Sequence, residues 1–324
     1  MSIKDIAAAY EMIEKRDIRT LMVMEILHKH YEYVPIDKLV RWLGWDEGSV
    51  RESLKRLNKF SLVSREGGVG YRLTYGGYDM LAIHALAKKG IIESLSPSPI
   101  GTGKESDVYA ARTVTGKDVV VKLHRLGRTS FRNVRRYRLW VGKHRHISWL
   151  YESRISAHME YIALRGVYKA GANVPKPISV NRHAVVMSYI DGYRLVDAQV
   201  DDPVETWKSI MESVGVAFDA GYIHGDLSEF NIMISEKPFL IDWPQWVPTT
   251  LINSIEYFVR DMNSLSLFFA KRFDYRPDID DIIHEYENRL KNRTLRNPDD
   301  VYSEILDELI HIMDEETEIS EKKV

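Results

Sequence analysis

Cysteine is absent from all 324 residues. That lack excludes disulfides, thiolate catalysis and cysteine-bound zinc together. No apolar run approaches the roughly 18–20 residues that span a bilayer. The N-terminus carries acids and bases but no basic stretch leading into an apolar one, so no secretion signal is expected. Net charge is also nearly missing, since 45 Lys and Arg meet 47 Asp and Glu for a formal −2. The charges are segregated along the chain, so inference about partners has to be local. What remains, 44% hydrophobic and 28% charged, is the profile of a soluble globular protein with room for two domains. No membrane partner is expected, and the cytoplasm is the expected compartment.

Residues 1–90 read as a small helical domain. Ile6, Ala9, Tyr10 and Ile13, then Leu21, Val23, Met24 and Leu27, recur at helical spacing. A second helix opens at Pro35, placed at its first helical position, and ends at Gly44. A third covers Asp46 to Lys59, burying Val50, Leu54 and Leu57 and exposing Arg51, Lys55, Arg56 and Lys59. Two short strands follow around a Gly67-Gly68 turn, and residues 74–89 form a further helix stopped by Gly90. Three helices and a two-stranded ribbon are the order of a winged helix, with 46–59 as recognition helix. The 15 Lys/Arg against 12 Asp/Glu over 1–90 leave two uses open, nucleic-acid contact and protein docking. Residues 91–99, rich in Ser and Pro, read as a linker.

A second domain begins at 100, its N-lobe running to 190. Gly101-Thr102-Gly103-Lys104-Glu105-Ser106-Asp107-Val108 is a glycine-rich turn in which Gly101 and Gly103 let backbone N–H groups approach phosphates. Alone that pair is weak evidence. Lys122, 21 residues beyond Gly101 at the end of a Val-Val-Val-Lys strand, gives it the layout of a kinase nucleotide loop and its lysine. No Gly-Lys-Ser/Thr leads onto a helix, so a Walker loop is excluded. Ser106 stands where a third glycine is usual, offering a hydroxyl to a phosphate oxygen in a stiffer loop. Residues 122–146 hold nine Lys/Arg and no acid, with Phe131, Tyr137 and Trp140 interleaved. Such a mixture suits single-stranded RNA, against the alternative of a solvated insertion at 124–146. A long helix, about 148–171, then carries Glu160 as the expected partner of Lys122, with Glu152 competing. Met187, Tyr189 and Ile190 form a hinge whose backbone would meet the adenine edge.

The chemistry concentrates at His224-Gly225-Asp226-Leu227-Ser228-Glu229-Phe230-Asn231, followed eleven residues after Asn231 by Asp242. This is a catalytic loop of the H-x-D-x-x-x-x-N type with an acid on the next strand. Asp226 would accept a proton or position a nucleophile, while Asn231 and Asp242 would hold Mg2+ or Mn2+ on the phosphates of ATP. Beyond Asp242-Trp243-Pro244-Gln245 the chain enters a helix at 251–271 almost directly. It has neither a long activation loop nor an A-P-E segment, the parts that build a peptide groove. The acidic tail, ten Asp/Glu from Asp299 to Glu321, reads as solvated and partly frayed.

Taken together, the glycine-rich turn, Lys122-Leu123-His124-Arg125-Leu126-Gly127-Arg128-Thr129-Ser130-Phe131-Arg132, the 224–231 loop and Ile241-Asp242-Trp243-Pro244-Gln245 resemble the RIO atypical protein kinases. The likeness is to their second type, which carries an N-terminal winged helix, and it covers essentially the whole chain. The resemblance implies an α+β protein, a winged helix followed by a two-lobed kinase-like domain with its C-lobe at 191–324. It implies that Ser106 and Lys122 bind phosphates, with Gly101, Gly103, Lys104 and Val108 in the same loop, that Asp226 is the catalytic Asp, and that Asn231 and Asp242 hold magnesium. It also implies a role in small-ribosomal-subunit maturation, with ribosomal RNA or the pre-subunit particle as partner. There the protein would act as a serine kinase or as an ATPase switch through phosphate on Asp242. Two other functions remain open from the residues alone: a small-molecule phosphotransferase of the aminoglycoside or choline kinase type, and a non-catalytic scaffold.

Overall fold

The computed structural model describes residues 3–125, 149–291 and 293–321, with side chains as far as residue 313. The basic run beyond Arg125 lies outside the described residues. The chain divides into two compact units, Met1–Ala157 with Val180–Val186 and Leu309–Val324, and His158–Ser179 with Met187–Glu308.

The first unit opens with α1 (Ile3–Met12) and α2 (Lys15–Leu27), so four helices, not three, precede the ribbon. The apolar run of 4–30 breaks because Glu14 caps α2 in a reciprocal box with Asp17. Next come α3 (Ile36–Leu43) and α4 (Glu47–Lys59). Pro35 caps α3 from outside its first turn, and Gly44 closes it in the left-handed region. Asp46 caps α4 by accepting from the Ser49 N–H. The wing is β1 (Val63–Glu66) paired antiparallel with β2 (Gly70–Leu73), turning through Gly68 at φ +75°. After it, α5 (Tyr75–Lys88) packs against α1 and α2. Leu21, Met24, Leu39, Leu54 and Leu57 are fully buried, each stabilising the domain by about 1.5–3 kcal/mol. Arg56, expected on the exposed face of α4, instead forks onto Asp17, a fully buried acid on the apolar stripe of α2, at 3.0 and 3.1 Å.

Within 91–99, β3 (Ser94–Leu95) pairs with β5 (Ser106–Arg112), as does β4 (Gly101–Thr102). Adding β6 (Asp118–His124), β7 (Pro177–Asn181) and β8 (Ala184–Ser188) gives a six-stranded sheet in the order β3-β5-β6-β8-β7, with β4 also on β5. The helix α6 (Trp149–Ala170) links β6 to β7.

The second unit is built on β9 (Tyr193–Arg194), α7 (Pro203–Asp219), β10 (Tyr222–Ile223), β11 (Ile232–Ile234), β12 (Pro238–Leu240), β13 (Val247–Pro248), α8 (Ser254–Phe273) and α9 (Ile279–Leu290). Small sheets β12-β11-β9 and β10-β13 frame the loop 224–231. Its core is aromatic: Phe218 of α7 meets Phe258 of α8 and Tyr286 of α9 edge-on at 5.5 and 4.7 Å. The acidic tail is a helix, α10 (Pro298–Glu321), rather than a frayed end. Leu306, Leu309 and Met313 are buried along one side of it.

Candidate functional site

The predicted residues fall into two groups, one in each unit. In the first, β4 turns tightly into β5, with the Gly103 N–H donating to the Ser106 carbonyl at 2.8 Å. Gly101, Gly103 and Lys104 are exposed along this turn. The β5–β6 register sets Val108 opposite Lys122 and Ser106 opposite His124. Side chains alternate across a strand, so Ser106, Val108 and Lys122 share one face of the sheet while Asp107 points to the other. Lys122 is 6% exposed. Arg125, expected among the RNA-binding cations, is instead buried and forked onto Asp79, with a further bond to Asp107.

In the second unit the loop 224–231 is held from several directions. His224 Nε2 hydrogen-bonds the Ile241 carbonyl at 2.9 Å, tying the loop to the strand before Asp242. The Ile241 N–H donates to the Asn231 carbonyl at 2.9 Å. Asn231 Nδ2 donates to the Asp226 carbonyl at 2.8 Å, which leaves its Oδ1 as an oxygen donor. Gly225 sits at φ +78°, and a Cβ there would come within 2.5 Å of the Gln245 carbonyl, so only glycine fits. Asp242 has φ +67°, a left-handed conformation uncommon outside glycine. Trp243, fully buried, donates its indole N–H to the Leu240 carbonyl at 3.2 Å.

Asp226 is exposed as a residue, yet burial of its carboxyl pushes the pKa up and the like charge of Asp242 adds to the rise. Arg260 and the Asn231 hydrogen bond oppose it. The Asp242 carboxylate and the Asn231 amide oxygen are hard oxygen donors of the kind Mg2+ takes, water and phosphate filling the remaining positions. A cation there would relieve the part of the rise at Asp226 that the Asp242 charge adds to burial. The residues therefore fit the metal expected of them.

Glu160 is fully buried in α6, and its Oε1 accepts the Trp243 N–H at 3.3 Å. It thus supports the backbone next to Asp242, whereas Glu152 lies half-buried in the first turn of the helix. At the hinge, Met187 is buried and Tyr189 is 43% exposed, while the Ser188 N–H donates to the Lys176 carbonyl at 2.9 Å.

Sequence reasoning missed Asp261. This acid is 3% exposed on α8 and accepts the Gly225 N–H at 2.8 Å, with the Leu227 N–H as a second donor. It therefore grips the backbone on both sides of Asp226. Burial pushes its pKa up to about 7, with the Asp226 charge adding to the rise. Arg260 beside it donates to the Gly225 carbonyl. A signal was present, because Asp261 falls on the apolar stripe of Phe258, Met262, Leu265 and Phe269, where an acid needs a partner.

A family model described as the RIO domain matches residues 107–282, and one described as Rio2, N-terminal, matches 10–89. The chain is 40% identical over 267 residues to a RIO-type serine/threonine-protein kinase Rio2 of Methanocaldococcus jannaschii, covering 78% of this chain and 97% of that one. It is 38% identical to a serine/threonine-protein kinase rio2 of Dictyostelium discoideum, covering 82% of this chain but only 52% of the relative. It thus spans about half the length of the second protein and nearly all of the first. Among solved structures, a Rio2 kinase-ADP/Mg2+-phosphoaspartate complex from Chaetomium thermophilum is similar with a TM-score of 0.76 and 29% identity. That match covers 98% of this chain and 99% of that one.

Proposed function

Because the chain belongs to the RIO family of serine/threonine kinases, in its Rio2 branch, we propose that it is an ATP- and Mg2+-dependent phosphotransferase whose turnover passes through phosphate on Asp242. The observation that carries this reading is the joint binding of Asp226, Asn231 and the Asp242 strand into one hydrogen-bonded set. Ser106, Lys122 and the backbone of 101–104 hold the phosphates, and Met187, Tyr189 and Ile190 the adenine. Bound magnesium would supply charge neutralisation on the phosphates, held by Asn231 and Asp242. An Asp242 carboxylate oxygen bonds to the γ-phosphorus as the bond to the β-phosphate oxygen breaks, releasing ADP. Water then attacks the phosphoryl group, Asp226 takes its proton, and the Asp242 carboxylate and free phosphate are restored. Support for the aspartyl step comes from the Chaetomium relative, whose structure is a phosphoaspartate complex.

The proposed acceptor is therefore water or a protein hydroxyl presented without a peptide groove, in keeping with the missing A-P-E segment. The proposed partner is ribosomal RNA in a maturing small subunit, met by the winged helix and by the basic loop 124–146, from which the buried Arg125 is withdrawn. The exposed Lys55 and Lys59 on α4 support contact with phosphates. Among the described residues no helix is long and apolar enough to cross a membrane, and the proposed setting is the cytoplasm.

Incubation with magnesium and γ-labelled ATP, with and without small-subunit particles, tests this. Asp226→Ala should abolish phosphate release, and wild-type protein should carry a hydroxylamine-labile label that Asp242→Asn lacks. Acid-stable label on serine or threonine alone, or on a small metabolite, overturns the aspartyl route.

A further inference from the structure

Arg125 is 2% exposed, and its hydrogen bonds run in two directions. Toward the glycine-rich turn, its backbone N–H donates to the Glu105 carbonyl at 2.6 Å and its Nε to Asp107 Oδ2 at 2.8 Å. Glu105 and Asp107 flank Ser106, so the arginine holds that turn by the residues on either side of its hydroxyl. Toward the winged helix, Nη1 and Nη2 fork onto the two oxygens of Asp79 in α5 at 2.6 and 2.9 Å. His183 Nε2 shares Asp79 Oδ1 at 2.7 Å, and the guanidinium lies 5.3 Å over the ring of Tyr75. Burial alone would raise the pKa of Asp79, but the charge of Arg125 and the bond from His183 outweigh it and hold the carboxyl below its ordinary value.

A guanidinium this deeply buried persists only when its donors are matched. Lysine, whose three donors sit on one nitrogen, cannot reproduce a planar fork together with a third bond in another direction. We propose that Arg125, anchored by Asp79 of the winged-helix domain, is a positioning residue for the phosphate-binding turn, which makes the N-terminal domain part of the nucleotide apparatus. The proposal rests on the assignment of 101–106 and Lys122 to the phosphates of ATP. Coupling of this kind is reciprocal, so bound nucleotide must be felt at α5 as strongly as α5 is felt by the nucleotide.

The test titrates full-length protein with fluorescent ADP and Mg2+, and measures KM for ATP and kcat, in Arg125→Lys, Asp79→Asn and Glu25→Gln. The last variant breaks the Arg182–Glu25 fork, which also joins the winged helix to the β7–β8 turn but does not touch the phosphate turn. The first two should weaken nucleotide binding at least about fivefold, the lower end of ordinary coupling. That loss should fall in KM with kcat nearly unchanged, and Glu25→Gln should bind as the wild type does. Wild-type affinity in Asp79→Asn and Arg125→Lys overturns the proposal, as does an equal loss in Glu25→Gln. Lys122→Met separates the two readings: if it binds nucleotide normally, the phosphate assignment itself has failed. Should the charge variants not fold, hydrogen exchange of the wild type decides. Slowed exchange across 79–83 with ADP and Mg2+ supports the coupling, and unchanged exchange overturns it.

Discussion

Asp261 is a single side chain through which the proposed catalytic loop can be probed without touching the proposed reacting groups. Asp261→Ala would leave the Gly225 and Leu227 N–H groups buried without an acceptor, at roughly 1–3 kcal/mol each, and thermal melting should register that loss. The variant should also lower kcat more than it raises KM, because the loop loses its register and not its ligand. Asp261 escaped the sequence because its partners are backbone groups some 35 residues away, invisible to any local pattern. That Asp226, Asn231 and the strand before Asp242 lie together could be read for the opposite reason, their spacing being dictated by one loop and one hairpin. Arg56 and Arg125 show the limit of reading charge alone. Each stands in a basic stretch, and only the distant acids Asp17 and Asp79 turn them from free surface cations into paired structural ones, Arg125 fully buried and Arg56 half-buried.

At the level of elements, boundaries marked by caps could be read to within a residue or so, as at Gly44, Asp46 and Gly90. The break between α1 and α2 could not, since the apolar period continues through it and only the Glu14–Asp17 exchange interrupts the helix. Asp17 also receives Ser53 at 2.6 Å and the Arg56 fork, so it locks α2 to the helix expected to face a partner. Asp17→Ala strips the half-buried Arg56 and the buried Ser53 of their shared acceptor, so it should cost about 1–3 kcal/mol and lower the denaturant midpoint. Burial works to raise the Asp17 pKa, but the hydrogen bonds from Arg56, Glu14 and Ser53 prevail and lower it. The pair's contribution is therefore full above the ordinary carboxylate range and is lost as pH falls through the depressed value. A wild-type midpoint for Asp17→Ala at pH 7 would show that the lock is not needed.

On the scale of the molecule, the two units should respond to acid with opposite signs. In the first, His28 is buried, hydrogen-bonding the Tyr31 carbonyl through Nδ1 and accepting the Leu73 N–H at Nε2. Burial lowers its pKa from 6.5. The unfolded chain therefore binds the proton first, and stability falls as pH drops below about 6.5. In the second, Asp261 keeps a proton up to about 7 that the unfolded chain loses near 3.8. Its contribution falls as pH rises through that window. Hydrogen exchange from pH 5 to 7 should show protection rising in α4 and falling in α8, and His28→Gln or Asp261→Asn should flatten the corresponding trend. Parallel changes in both helices would refute the assignment.

The first unit is assembled from three separate stretches of chain, the last beginning at Leu309. Leu309 and Met313 are buried, and the Met313 carbonyl receives Arg154 at 2.8 Å, 159 positions away. Contacts of such sequence separation form late and slowly. On the ribosome, then, the Arg154 end of α6 cannot gain its Met313 partner until α10 has emerged, so this contact closes only after the winged helix has long been made.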